Sequence, residues 1–334
     1  VINDLLPVKA RKEVDRLIAE LQDAQFKLEV VPTTTIEFVN SLTFLDDIQV
    51  RIDPLEKEAM IVKDMYELIE QYNVPTPPED FAVYQTLNPS ITGVRNAIDK
   101  SLTERDANID KNCTHLDKDI AELGKEVKEI KQEAQNPLIL DSTAEKDKVQ
   151  GILKRMLNQI EGLQKQAFTY KSYQKNFKVE VTKYDALEEV HAELKLKELL
   201  WTAIDEWDGH INEWMNVPFE TLDPEQMNNT TMKFAKSVMQ LEKGLPPNGV
   251  VPMLKERVET MRDRLPVITD LRNPTLKPRH WEVIEQILDY HFTPEDPLTL
   301  GKLVDINAFR SGEALQEISG QASSEASLEA ILKK

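Results

Sequence analysis

The sequence predicts an all-α protein of elongated helical bundles, built round one long antiparallel helical hairpin and continuing into a further helical arm. Three observations predict it. Apolar residues recur at alternating steps of four and three, first through Ile109, Cys113, Leu116, Ile120, Leu123, Val127 and Ile130. The same rhythm returns through Val149, Leu153, Met156, Ile160, Leu163, Ala167 and Tyr170, and it is the seam of one helix packed along another. No stretch shows the two-residue alternation of a half-buried strand. The composition, 30 % charged and 6 % aromatic with 10 Gly in 334 residues, suits long, partly exposed helices.

Lys9 to about Val30 reads as a first helix, with Val14, Leu17, Ile18, Leu21 and Leu28 on one stripe. Pro32 closes it, because a residue before proline is pushed out of the α region. Thr33, Thr34 and Thr35 can each cap a second helix, and Thr34 with Glu37 has capping-box spacing. This second helix, about Thr35 to Tyr72, carries the seam Leu45, Ile48, Ile52, Leu55, Ala59, Val62, Tyr66 and Ile69. Pro54 either kinks it or, with Asp53 as cap, opens a separate helix; the cap is the preferred reading. Val74-Pro75-Thr76-Pro77-Pro78 is a loop between modules.

The hairpin helices then span Ser90–Gln135 and Ala144–Glu198, broken at Asn136-Pro137, with Ser142 and Glu145 at capping-box spacing. A connection of roughly nine residues folds two such helices back on each other, with Ile120 and Leu123 facing Ile160 to Ala167. A helix of about 40 residues is about 60 Å long, which points to a strut; a four-helix bundle gives the same rhythm. The second seam skips polar Gln174, resumes at Phe177, Val181 and Tyr184, and runs on through Leu187, Leu194 and Leu199. Gly162 and the neighbourhood of Thr182 argue against one unbroken rod.

Trp201, Trp207 and Trp214 share the helix Leu199–Met215, the last two on a common face with Trp201 near them. Clustered indoles anchor a core or a subdomain junction, a ligand cage being the alternative. Asp223 caps a helix from Glu225 to about Lys243, and Gly244 to Gly249 is a loop. Val250 to about Leu271 is helical, kinked or interrupted at Pro266. Asn273-Pro274 and Lys277-Pro278 bracket a bend before a helix at His280, in which Trp281 is expected to be a buried junction residue. Phe292 to Leu300 is turn-like, a short helix lies near Leu303, and Gly312–Lys334 holds one or two helix starts.

Charge and chemistry exclude several classes. A formal net charge of -18 argues against non-specific nucleic-acid binding and against anionic membranes, and no run of some 20 apolar residues is present to span a bilayer. The single cysteine, Cys113, sits on the seam as a small hydrophobe and rules out a disulfide within these residues. His115, His191, His210, His280 and His291 lack metal-ligand spacing. Gly301-Lys302 has neither the glycine-rich loop before it nor the Ser/Thr after it of a phosphate loop. Carboxylate pairs such as Asp46/Asp47 and Asp205/Asp208 are solvated helix faces among 59 acids. The reading is therefore no catalytic, cofactor-binding or metal residue in these 334.

From Leu187 onward the wording is specific: Leu199-Leu200-Trp201, Ile211-Asn212-Glu213-Trp214, Leu271-Arg272-Asn273-Pro274 and Leu276-Lys277-Pro278-Arg279-His280-Trp281. Phe292-Thr293-Pro294, Leu298-Thr299-Leu300-Gly301-Lys302-Leu303 and Ile318-Ser319-Gly320-Gln321-Ala322-Ser323 come after these. This resembles the N-terminal part of the linker domain of dynein heavy chains, closer to the axonemal (ciliary) than to the cytoplasmic transport type. The preceding residues, with Phe38-Val39-Asn40-Ser41-Leu42, resemble the helical tail upstream of that linker.

The resemblance implies three stretches: 1–78 as a helical tail module, 79–183 as the long hairpin, and 184–334 as the N-terminal part of the linker arm. Both chain ends then read as cuts within a longer heavy chain. It implies no cofactor here, with ATP and magnesium in a motor ring beyond these residues. The parent chain would be an ATP-hydrolysing microtubule motor of the cytoskeleton and the ciliary or flagellar axoneme. Implied partners are other dynein subunits, either p28-like light chains with actin or centrin or the intermediate chains, and microtubule doublet docking proteins. The residues expected to act mechanically are Trp201, Trp207, Trp214, Pro218, Pro278, Arg279, His280, Trp281 and Gly301. The competing class is a coiled-coil scaffold that bridges partners without a power stroke.

Overall fold

The computed structural model describes residues 1–333, and these are all-α: eleven α-helices with short 3₁₀ turns between them. Among the described residues extended pairing is limited to two isolated bridges, Pro218 with Thr299 and Thr293 with Asp296. The chain divides into two compact units, Val1–Glu126 with Gln164–Tyr184, and Val127–Leu163 with Asp185–Lys334.

In the first unit α1 (Ile2–Glu29) and α2 (Thr35–Gln71) run antiparallel. Lys27 lies over the Phe44 ring, Arg51 meets Glu20, and Arg16 meets Glu58, so the numbers rise along one helix as they fall along the other. Their seams close one core with the start of α4 (Leu87–Glu133), through Val14, Leu17 and Leu21, then Ile48, Val62 and Ile69, then Ile91 and Val94. Thr34 caps α2 by accepting from the Glu37 amide at 3.2 Å, whereas the Glu37 carboxylate reaches back to Thr33 rather than Thr34. The short α3 (Pro78–Tyr84), too brief to show a periodicity, sets Tyr84 in a stack on Tyr66 with ring centroids 4.3 Å apart. A second apolar cluster joins Phe38, Val39 and Leu42 to Leu116 and Phe177, with half-buried Cys113, Ile120, Tyr170 and Tyr173 beside it.

Two helices run unbroken through a proline for one physical reason, and a third starts earlier than expected. α1 begins at Ile2 rather than Lys9 and contains Pro7; α2 continues through Pro54, so Asp53 caps nothing; α8 (Val250–Leu271) continues through Pro266. A proline inside a helix frees the carbonyl four residues before it. Pro54 and Pro266 both face solvent, where water satisfies that carbonyl, while Ile52 and Leu55, and likewise Leu265 and Val267, stay buried on either side.

α5 (Lys146–Phe177) is separate from α6 (Asp185–Asn216), so the second hairpin helix is two helices. Lys178 takes the left-handed conformation at φ 57°. The Val179 amide donates to the Gln174 carbonyl and the Lys178 amide to the Lys175 carbonyl, which together make a Schellman end. The polar residue that interrupts the seam explains the break. Gln174 is buried, accepts from the Thr182 amide at 2.9 Å and donates to the Thr182 hydroxyl at 2.8 Å. The expected capping box at Ser142 is also absent. Helix α5 starts at Lys146, and it is Asp141 that accepts from the Thr143 amide.

The second unit packs α6 with α7 (Pro224–Gly244) and α8, and completes them with α9 (Pro278–Leu288), α10 (Leu300–Asp305) and α11 (Gly312–Leu332). Asp223 caps α7, accepting from the Glu225 and Gln226 amides at 3.0 and 3.3 Å. Asn248 accepts from the Val250 and Val251 amides at 2.9 Å each, which opens α8. The C-terminal stretch, expected to hold one or two helix starts, forms one helix, α11.

Candidate functional site

The residues singled out from sequence, Trp201 apart, fall into three places in the second unit. Trp207 and Trp214, seven apart on α6, meet edge to face with centroids 5.9 Å apart and planes at 90°. Phe234 of α7 lies 5.2 Å from Trp207, and His210 stacks on Trp214 at 5.5 Å. Trp207, Trp214 and Phe234 are buried, so the group is packed core between two helices and not an open cage. His210 and Phe234 were not anticipated. The signal was there in the 207-210-214 spacing and in the α7 series Met227, Thr231, Phe234, Val238 and Leu241, each at steps of three and four. Trp201 points elsewhere: its indole N–H donates to the Ile139 carbonyl at 2.8 Å.

Pro218 and Gly301 come together at the end of α6. The Phe219 amide donates to the Leu298 carbonyl at 3.0 Å, and Pro218 pairs with Thr299. Thr299 caps α10 by accepting from the Lys302 amide at 3.1 Å. A β-carbon on Gly301 would stand 3.0 Å from the Met215 carbonyl oxygen, so only glycine lets α10 approach the end of α6 this closely. The Arg272 side chain closes the same region, donating to the Leu222 carbonyl at 2.8 Å.

The third place is the bend Asn273–His280 against α11. The Asn273 amide group reaches the Ser319 carbonyl, the Ser319 hydroxyl and the Ser323 hydroxyl at 3.1, 2.9 and 2.8 Å. Its side-chain oxygen meanwhile accepts from the Thr275 amide at 3.0 Å. Lys277 donates to both oxygens of Glu329 at 2.6 and 2.7 Å, and Arg279 pairs with Glu325. His280 is 4 % exposed. Its Nδ1 accepts from the Lys277 amide at 2.9 Å, which leaves the proton on Nε2, 3.0 Å from Glu325. Arg279 first, then Gln321 and His280, hold the Glu325 carboxyl down to about 2; Lys277 lowers that of Glu329. The sequence stretches 271–281 and 318–329 are thus two faces of one contact. Trp281 is half-buried, and the fully buried position is its neighbour His280. Positions 280, 284 and 288 form the inward row of α9, and Trp281 is one residue off it.

Among the described residues no group of three or more His, Cys, Asp and Glu could hold a metal ion, and no helix is long and apolar enough to cross a membrane. A cleft of about 1070 Å³ lies within the first unit between the Val30–Thr35 turn and α4, and is lined mainly by polar side chains such as Asn96, Lys100, Arg105 and Asn108.

Residues 187–334 match the family described as "Dynein heavy chain, N-terminal region 2". The chain is 58 % identical over 335 residues to dynein axonemal heavy chain 6 of Homo sapiens, an alignment covering 100 % of this chain and 8 % of that protein. It is 22 % identical over 335 residues to dynein axonemal heavy chain 1 of Mus musculus, covering 99 % and 8 %. With the dynein-1-beta heavy chain, flagellar inner arm I1 complex, of Chlamydomonas reinhardtii it shares 23 % over 286 residues, covering 85 % and 6 %. The chain spans less than a tenth of the length of these curated relatives.

Proposed function

The chain belongs to the axonemal dynein heavy chains, as part of their N-terminal tail and linker region, and we propose that it transmits force along the parent molecule. In this reading it couples an ATP-driven AAA+ ring, outside these residues, to an anchored tail in microtubule-based ciliary motility. Its setting is the axonemal cytoskeleton. ATP and magnesium act in that ring, and this stretch contributes leverage rather than chemistry.

The observation that carries the reading is a coincidence of boundaries. The family match opens at Leu187, two residues after α6 begins at Asp185, directly behind the break closed by Gln174. Residues 184–334 then serve as the proximal linker, 79–183 as the hairpin of the tail, and 1–78 as the tail module before it. Two observations support an antiparallel hairpin of α4 and α5. Leu116 packs in one cluster with Tyr170, Tyr173 and Phe177, and Glu133 accepts from Arg155 at 3.0 Å. The partner's number falls as the first rises.

A second reading has an observation of its own. Val50, Ile61 and Leu68 are exposed along α2, with exposed Tyr72 at its C-cap, at steps of eleven, seven and four, which is one helical face. A scaffold that bridges partners without a power stroke would use such a face. Light chains of the p28-like kind with actin or centrin, intermediate chains and microtubule doublet docking proteins are the partners either reading allows.

The experiment is a flexible joint. Gly-Ser residues inserted beside Pro218, in a full-length heavy chain carrying this segment, separate the Pro218–Thr299 contact from α6. Basal ATP turnover stays at the parent value while microtubule gliding slows sharply when the motor is held by its tail. Unchanged tail-anchored gliding would favour the scaffold.

A further inference from the structure

Four side chains of α6 stand at successive steps of four: Glu193, Lys197, Trp201 and Asp205. Each meets the stretch from Ala134 to Lys146, which joins α4 to the first residue of α5. Glu193 accepts from the Gln135 side chain at 2.8 Å. Lys197 donates to the Ala134 carbonyl at 2.6 Å and to Glu193 at 2.8 Å. Trp201 donates to the Ile139 carbonyl, and Asp205 pairs with Lys146 at the start of α5. The middle of the row is dry. The Lys197 side chain is 2 % exposed, and Trp201, Ala134 and Ile139 are buried with it.

A buried ammonium is costly unless it is paired and hydrogen-bonded. Lys197 meets that condition by binding a carbonyl that the end of α4 leaves without an intrahelical partner, together with one carboxylate. Long helices do not need such a group for their own stability, since apolar residues at those positions would serve as well. What the charged, directional contact adds is register: it fixes which residue of the connection faces which turn of α6.

We infer that this row is a clamp through which load carried by α4 and α5 enters α6 directly, in parallel with the covalent connection Lys178–Tyr184. The inference rests on the force-transmission reading and names the residues through which the transmission runs. The covalent connection is poorly suited to carry compression alone. It is non-helical from Lys178 to Tyr184, with a left-handed residue at its head, and is held by the Gln174 side chain and by Lys171 over the Tyr184 ring. The clamp places four anchors along residues 193–205 of α6, a little over three turns of helix. Lys197 and Trp201 are positioning residues in this scheme and touch no nucleotide or filament.

Two variants test it. Lys197→Met keeps the stem and removes the charge; Trp201→Phe keeps an aromatic ring and removes the indole donor, and serves should the first fold poorly. In the 334-residue chain, hydrogen exchange at residues 134–146 should rise about tenfold in either variant, the weight of one buried hydrogen bond to a charged or indole donor, with residues 224–271 unchanged. In a full-length heavy chain, tail-anchored gliding should slow while ATP turnover holds. Exchange at 134–146 within about twofold of the parent in both variants overturns the clamp. Looser exchange with unchanged gliding overturns its mechanical role, provided the joint inserted at Pro218 still slows gliding. If neither the joint nor the variants slow gliding, the force-transmission reading fails first and the clamp's role falls with it.

Discussion

The connection between α4 and α5 and the connection between α5 and α6 interrupt the same long seam, and they are held differently. The first has local turns at Asn136 and Asp141 and is also fastened from outside, by α6 side chains that reach Ala134, Gln135, Ile139 and Lys146. The second is fastened from within, by one glutamine eight residues from the threonine it binds and by a left-handed lysine. The first carries a helix-breaking Asn-Pro and the second carries neither Gly nor Pro. A break that depends on distant partners needs a strong local signal to open it. A break closed locally can be written in residues that otherwise read as helix.

Removing the outside fastening should have the larger effect. Trp201→Ala deletes a buried indole and its bond to Ile139, with an expected loss of about 3–5 kcal/mol in urea unfolding. A loss below about 1 kcal/mol would mean that α6 does not hold the connection. Gln174→Ala, at the inner fastening, leaves the Thr182 amide without its acceptor. The expected loss is about 1–3 kcal/mol, with proteolytic nicking concentrated at Lys178–Tyr184; nicking elsewhere would show that the loop has other support. Lys178→Gly relieves the left-handed strain at φ 57° and should raise stability by about 0.5 kcal/mol, the balance of steric relief against backbone entropy. A loss instead would show that the Lys178 side chain contributes.

The α9–α11 contact gives the smallest effect and a titratable standard for the other two. The Glu325 carboxyl falls from 4.5 to about 2 on folding. Between those values the unfolded chain binds the extra proton, so the stabilisation is whole above pH 4.5 and is lost as pH falls toward 2. Arg279→Gln should flatten that acid loss in melting temperature, modestly and less so in salt, because the pair is solvent-accessible. Superimposable acid profiles would show that Arg279 does not set it.

These contrasts also mark what the sequence could say. The seams on α1, α2, α4 and α5 were legible, because apolar spacing survives whatever neighbour covers it. So were the Asp223 cap and the Gly244–Gly249 loop, whose chemistry is local. The uninterrupted passage of α2 through Pro54 was not, since solvent exposure on one face decides it and exposure is tertiary. Of the mechanical residues, Trp207 with Trp214 and Pro218 with Gly301 are brought together, while Trp201 belongs to a different contact. Lys197 escaped notice entirely. A lysine inside a charged helix looks solvated, and only the carbonyl of Ala134, 63 residues away, shows otherwise.

Cys113 has a use at the bench. It is the single thiol in the 334 residues, half-buried beside Leu116 and Tyr170, and burial, with Asp117 and Asp110 nearby, pushes its ionisation up. The thiolate is the species that reacts with maleimides, so the native sulfur is a slow target for dyes. A cysteine introduced on an open face, such as at Phe168 with 77 % exposure, would therefore take a fluorophore or a spin label selectively. Pairs of such labels would report distances within these 334 residues without first engineering away the resident thiol.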